Sequence, residues 1–458
     1  MARTASQQSW LDRLWGGIAD QGRLFARVPS AEVSGPARAR ALAQALLSER
    51  GEASGAAVAR ELIDCLRALS AEQRLGVLRA ISEGFAPDEA RLRRAAEGYL
   101  AAPGPEAAMI LHEAAEPPRQ ELLRRMNMAP GGTAMLVALR REVLGAVKSD
   151  PALGTLDRDL LHLFSSWFNR GFLELRRIDW ETPASVLEKL ITYEAVHEID
   201  GWQDLRRRLL ADRRCFAFFH QALPNDPLIF VEVALTVGLA DAVQPLLAPP
   251  SDGQPDRGAD SAIFYSISNC QEGLRGVSFG NFLIKQVVEE LKAELPKLKN
   301  FATLSPVPGF RAWLEAQVAG EAPPFTAEEI GAPAGTKVSD ALAEAVVGPW
   351  WEDAGRAKLL RGPILRAAAQ YLTRDAQAGV KIDPVARFHL GNGARLERID
   401  WLGNLSPRGM RESLGVMVNY LYDPGSIEAN HEKFVNTGRV ARSAEVDGLA
   451  ATKRVKAA

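Results

Sequence analysis

Through the first third of the chain, apolar residues recur every three to four positions. In "AAVARELIDCLRAL" (56–69), Val58, Leu62, Cys65, Leu66 and Leu69 share one helical face. In "TAMLVALRREVLGAV" (133–147), Leu136, Leu139, Val143 and Val147 do the same. Breakers punctuate the pattern at "APGPEA" (102–107), "EPPR" (116–119) and "APGGT" (129–133). Residues 1–171 therefore read as an all-helical bundle of the kind that mediates assembly. His112 has no Cys or His within ligand spacing, and no catalytic grouping stands out in this half.

From "FLELRRIDW" (172–180) onward the texture changes. "RCFAFFHQ" (214–221) and "PLIFVEVALTV" (227–237) are rich in aromatic and β-branched residues, and "PND" (224–226) between them is turn chemistry, which predicts a hairpin. "AIFYSIS" (262–268), a helix over 281–295 and "NFATLS" (300–305) predict a strand–helix–strand crossover. A mostly helical insertion follows at about 325–375, where Trp350 and Trp351 read as core-closing residues. "VARFHLGN" (385–392), "ARLERIDWL" (394–402) and "VMVNYLY" (416–422) return to strand patterning. The fold class expected is α+β: a helical bundle, then a domain over 172–458 with a mixed central sheet.

Charge changes this picture little. The 458 residues carry 55 basic and 57 acidic side chains, a net charge of −2, so nothing points to nucleic acid or an anionic membrane as partner. No apolar run reaches the ~20 residues that span a bilayer. Three widely spaced cysteines, Cys65, Cys215 and Cys270, suggest neither a disulfide framework nor a thiolate metal site. The start, "MARTASQQSWLDRLWGGIADQGRLFAR", places Trp10, Leu11, Leu14, Trp15 and Ile18 at helical spacing. Asp12 and Asp20 set it apart from acid-poor transit peptides, so a docking helix in a cytoplasmic protein is expected over a mitochondrial matrix address. The basic "TKRVKAA" at the end carries no receptor-read address.

Between the two crossover strands lies "CQEGLRGVSFGNFLIK" (270–285), with Gly273, Gly276 and Gly280. Backbone N–H groups of such a loop and of the helix after it can hold a phosphate. The same glycines can instead serve turning and close packing. The sequence leaves both readings open.

"RGVSFGNFL" (275–283) resembles the R-G-x-G-x-G/A loop of the acetyltransferase (GNAT) superfamily, with Ser278 where that pattern has its middle glycine. Longer strings are similar to the malonyl-CoA decarboxylase family. These are "FLELRRIDW", "YEAVHEIDGW" (193–202), "AIFYSISNCQEGLRGVSFGNFLIK", "FATLSPVPGFRAWL" (301–314), "FHLGNGARLERIDWLGNLSPRG" (388–409) and "VMVNYLYDP" (416–424), in order over about 250 residues. The resemblance implies a GNAT-like catalytic domain converting malonyl-CoA to acetyl-CoA and carbon dioxide without metal, biotin or other cofactor. It also implies a homo-oligomer, dimer or tetramer, built through the helical domain. By the family's motifs Ser305 of "SPVPGF" and His389 of "FHLGNG" are the expected catalytic residues, with Tyr422 of "NYLYDP" beside them. Arg275, Gly276, Val277, Ser278, Phe279, Gly280 and Asn281 are the expected coenzyme A contacts, the pantetheine arm running between "AIFYSIS" and "NFATLS".

The chemistry suits these groups. Loss of carbon dioxide leaves an electron pair that is tolerable only when delocalised onto the thioester oxygen, so donors must meet the developing charge and a proton must reach carbon. Histidine suits the proton step, and a serine hydroxyl can anchor the carboxylate. Taken by themselves, Ser305 before a proline reads as a turn residue, and His389, alternating with Phe388 and Leu390, as an ordinary strand histidine. His220 and His197 are the competitors for its role; His162 and His431 read as structural or exposed. The recurring "RRID" (176–179) and "ERID" (397–400) are assigned nothing. Two other functions fit less of the pattern: a coenzyme A-dependent acyltransferase, and a non-enzymatic helical scaffold that binds no coenzyme A.

Overall fold

Helix ends in the first half follow their local signals. The computed structural model describes residues 10–22, 35–48, 51–248, 258–277, 283–374 and 382–451. Helices α1 (Trp10–Gly22), α2 (Gly35–Ser48), α3 (Glu52–Ala68), α4 (Ala71–Gly84) and α5 (Glu89–Ala101) lead into α6 (Pro105–Ala115), α7 (Pro118–Asn127), α8 (Gly132–Ala146) and α9 (Gly154–Trp167). Ser70 and Gln73 close a capping box on α4. Pro105 and Pro118 each occupy the first turn of a helix, where a missing N–H costs nothing. The predicted breaks are the observed ones. Val58, Leu62 and Leu66 of α3 and Leu136, Leu139 and Val143 of α8 are buried in one core. Helices α5 and α6 pack mainly on each other and leave Leu100, Met109 and Ile110 exposed.

Contacts divide the chain into two units: Met1–Arg176 with Phe218–Ile229 and Asn269–Gly280, and Arg177–Ala217 with Phe230–Ser268 and Asn281–Ala458. Two later segments thus pack with the helices, and Leu223, Leu228, Leu274 and Val277 complete the helical core.

The second unit carries most of the sheet, whose residues 173–176 and 218–220 belong to the first. Its strands are β1 (Leu173–Ile178), β2 (Arg213–His220), β3 (Ile229–Thr236), β4 (Ser261–Asn269), β5 (Asn300–Thr303), β6 (Ser305–Pro306), β7 (Arg395–Asp400) and β8 (Met417–Leu421). The order is β1-β2-β3-β4-β5-β8-β6, with β7 also on β8. Its helices begin with α10 (Ala184–Tyr193), α11 (Gly201–Arg208), α12 (Gln244–Leu247) and α13 (Leu283–Glu294). They continue with α14 (Phe310–Val318), α15 (Val338–Ala345), α16 (Ala354–Leu372) and α17 (Pro384–Gly391). As predicted, β2 and β3 are neighbours, and β4 and β5 are parallel strands joined through α13, with Phe264 opposite Thr303. β8 runs antiparallel to β5, β6 and β7, which makes the sheet mixed. Trp350 is buried against Trp351 and Trp401.

One strand prediction fails. "VARFHLGN" is helix α17. Asp383 caps it by accepting from the N–H groups of Val385 (2.9 Å) and Ala386 (3.3 Å), and Pro384 opens it. Gly393, at φ +82°, turns the chain after it. The buried residues are Ala386, His389 and Leu390, spaced i, i+3, i+4, which is a helical period and not alternation.

Candidate active site

Ser305 stands at the start of β6, where it pairs with Val418 of β8 rather than lying in a free turn. His389 lies in the last turn of α17, and Tyr422 directly follows β8. These three converge. His389 Nε2 lies 3.1 Å from Ser305 Oγ, and its Nδ1 lies 2.7 Å from the Tyr422 hydroxyl. All three are buried, at 5%, 3% and 1% exposure respectively. The Tyr420 ring stacks on the imidazole, centroids 4.7 Å apart and planes inclined by 23°.

Two further groups shape the cluster. The Ser305 hydroxyl donates to Thr303 Oγ1 (2.8 Å), which also accepts the Tyr420 N–H (3.2 Å). Asp383, buried under α17, accepts from the Gly309 N–H (3.1 Å) and the Tyr371 hydroxyl (3.2 Å), tying the "SPVPGF" turn to the histidine's helix. A Cβ at Gly309 would collide with that hydroxyl. Sequence reasoning missed Thr303, Tyr420 and Asp383. The signals existed: Thr303 sits two positions before Ser305 on an extended segment, and Asp-Pro is a helix-start signature.

Burial governs the electrostatics. It lowers the His389 pKa to about 3 and raises those of Tyr422 and Tyr420 well above the usual phenol range. His389, Tyr420 and Tyr422 are therefore uncharged at neutral pH. No carboxylate backs the imidazole; a neutral phenol does.

The competing histidines lie elsewhere. His220 is in β2 as expected, but its Nε2 bonds the Trp167 carbonyl (3.1 Å) and its ring packs on Phe168 in the helical unit. His197 is buried beside Tyr265, and burial lowers its pKa to about 4. His431 bonds the Gly391 carbonyl (2.6 Å) at the end of α17.

The glycine stretch shows both architecture and limits. Gly273 packs so closely on α8 that a Cβ would collide with the Val137 carbonyl, and Gly276 adopts φ +84°. The buried Arg140 guanidinium donates to the carbonyls of Gly273 and Arg275, both at 2.8 Å, and pairs with Asp157 at 2.9 Å. Val277 is buried, whereas Arg275 and Gly276 are exposed. For Gly273 the close-packing reading holds. Ser278, Phe279, Gly280 and Asn281 lie outside the described residues.

The fold is α+β, and its buried serine–histidine pair is backed by a phenol, unlike a carboxylate-backed hydrolase triad. The family model for the malonyl-CoA decarboxylase C-terminal domain matches residues 171–458, and that for the N-terminal domain matches 85–168; the chain belongs to the malonyl-CoA decarboxylase family. The mitochondrial malonyl-CoA decarboxylase of Rattus norvegicus is 35% identical over 405 residues, 83% of this chain and 82% of the relative. The crystal structure of malonyl-CoA decarboxylase from Rhodopseudomonas palustris is 50% identical with a TM-score of 0.82, covering 91% of this chain and 100% of that one. That from Cupriavidus metallidurans is 38% identical with a TM-score of 0.72, covering 90% and 99%.

Proposed function

We propose that this chain, a carboxy-lyase, converts malonyl-CoA to acetyl-CoA and carbon dioxide with Ser305 and His389 as the reacting pair and Tyr422 behind the histidine. The observation that carries the reading is the buried hydrogen-bonded series Ser305–His389–Tyr422. The thioester is itself the electron sink, so the reaction calls on no cofactor. The Ser305 hydroxyl, swung from Thr303, orients the malonyl carboxylate. That incoming negative charge favours a protonated ring on a histidine otherwise held neutral. As the C–C bond breaks and carbon dioxide leaves, the enolate carbon takes the proton from the ring, and solvent replaces it. One proton enters and one C–H bond forms per turnover.

The segment 275–281 holds the coenzyme A phosphates through backbone N–H groups, with the exposed Arg275 adding charge. The pantetheine arm enters where the β4–β5 ladder ends, at Phe264–Thr303. The helical unit joins copies into a dimer or tetramer, a reading supported by the exposed Leu100, Met109 and Ile110 on α5 and α6. Light scattering on a Leu100→Glu/Ile110→Glu variant tests it: an unchanged particle mass removes that surface from the assembly. No helix among the described residues is long and apolar enough to cross a membrane. The activity is tested by incubating the protein with malonyl-CoA, with and without an amine, and following products by mass. Acetyl-CoA is the expected product; malonylated amine without acetyl-CoA would make the chain an acyltransferase.

A further inference from the structure

We propose that Thr303 is a positioning residue that fixes the direction of the hydrogen-bond series in the resting enzyme, and with it the tautomer in which His389 awaits the substrate. The hydroxyl of Ser305 has one proton, and the geometry commits it to Thr303 Oγ1 at 2.8 Å. The contact of 3.1 Å between Ser305 Oγ and His389 Nε2 then needs a proton from the ring, so Nε2 carries the hydrogen. Nδ1 is left as a lone pair. The Tyr422 hydroxyl, 2.7 Å away, donates to it. Burial keeps the phenol protonated and the ring neutral, which agrees with this assignment.

The series therefore reads in one direction: Tyr422 to His389, His389 to Ser305, Ser305 to Thr303. Reversing it would place the Ser305 proton on Nε2 and hydrogen on Nδ1. Two features hold this direction. The Thr303 oxygen is itself set by the Tyr420 N–H at 3.2 Å, so it meets Ser305 in a fixed place. Thr303 also belongs to the β4–β5 ladder, opposite Phe264, where it cannot drift. The consequence is that the ring aims an N–H, not a lone pair, along its bond to Ser305. A serine activated by a histidine base needs the opposite arrangement. The effect on turnover rests on His389 being the proton donor; the tautomer itself does not.

The experiment uses the full-length protein labelled with ¹⁵N-histidine, with His389→Asn identifying the ring signals. The expected wild-type spectrum shows a neutral His389 protonated on Nε2. Thr303→Val, similar in shape but without the hydroxyl, switches it to Nδ1–H, because the Ser305 proton turns to the ring. Thr303→Ser restores the wild-type tautomer. In parallel, Thr303→Val lowers kcat by about tenfold or more with KM unchanged, and Thr303→Ser recovers most of the loss. A wild-type ring protonated on Nδ1 overturns the proposal without any variant, and so does a folded Thr303→Val protein that keeps Nε2–H. A His389→Asn enzyme with near-normal kcat would instead refute the catalytic assignment and leave the tautomer result standing.

Discussion

The glycine stretch 269–277 and the Ser305–His389–Tyr422 cluster are held in opposite ways. In the first, the main chain is what is positioned. Arg140 grips two carbonyls, Gly273 makes room by lacking a Cβ, and Leu274 and Val277 anchor the segment in the helical core. In the second, side chains are positioned: hydroxyls, a phenol and an imidazole satisfy one another out of water. A main-chain device tolerates almost no added atoms at its close approach, and its side chains serve to hold the backbone in place. A side-chain device depends on the identity of each group and on the absence of water, because an unpaired polar atom there costs about 1–3 kcal/mol.

The largest effect falls on the side-chain cluster. His389→Asn should lower kcat by about 10²-fold or more while leaving KM nearly unchanged, and adding Ser305→Ala should make matters little worse, as for groups acting in one step. Steady-state assay of both single variants and the double one checks this; additive losses would mean that the pair does not act together. Next comes the main-chain device. Gly273→Val should destabilise the protein by about 3 kcal/mol, since the new side chain forces α8 or the segment aside; denaturant unfolding measures it, and wild-type stability would show that the close packing is dispensable.

The third effect is on pH. The folded-state His389 pKa is depressed to about 3, so between there and its unfolded value the unfolded chain binds the extra proton and stability falls as pH drops. From pH 7 to pH 5 this group should cost about 2 kcal/mol, at about 1.4 kcal/mol per pH unit below 6.5. His389→Asn should lose that much less on acidification; equal losses would contradict the neutral, desolvated ring. The smallest change sharpens the phosphate reading of the loop. Gly280→Val should raise KM for malonyl-CoA about tenfold with kcat little altered, by blocking the anion's approach to the backbone. An unchanged KM in a folded variant would remove coenzyme A phosphate from that loop.

Much of this protein is written locally. The helical half, its breaks at Pro105, Pro118 and Gly131, the β4–α13–β5 crossover and the strands β7 and β8 follow from periodicity and breakers, because each involves neighbours within a few residues. The family strings likewise contain Ser305, His389 and Tyr422, which the fold brings into contact. Tertiary structure decided the rest. "VARFHLGN" alternates well enough to pass for a strand, yet its Asp-Pro start and the packing of Ala386, His389 and Leu390 make it a helix. Residues 270–277 look like part of the sheet domain in the linear order, but their apolar side chains are buried among α-helices more than a hundred positions earlier, where Arg140 waits for their carbonyls. Most of all, the neutrality of His389 and the direction of its hydrogen bonds depend on Tyr420, Tyr422 and Thr303 closing around it. Burial and hydrogen-bond partnership are properties of residues brought together in space, and no local pattern along the chain encodes them.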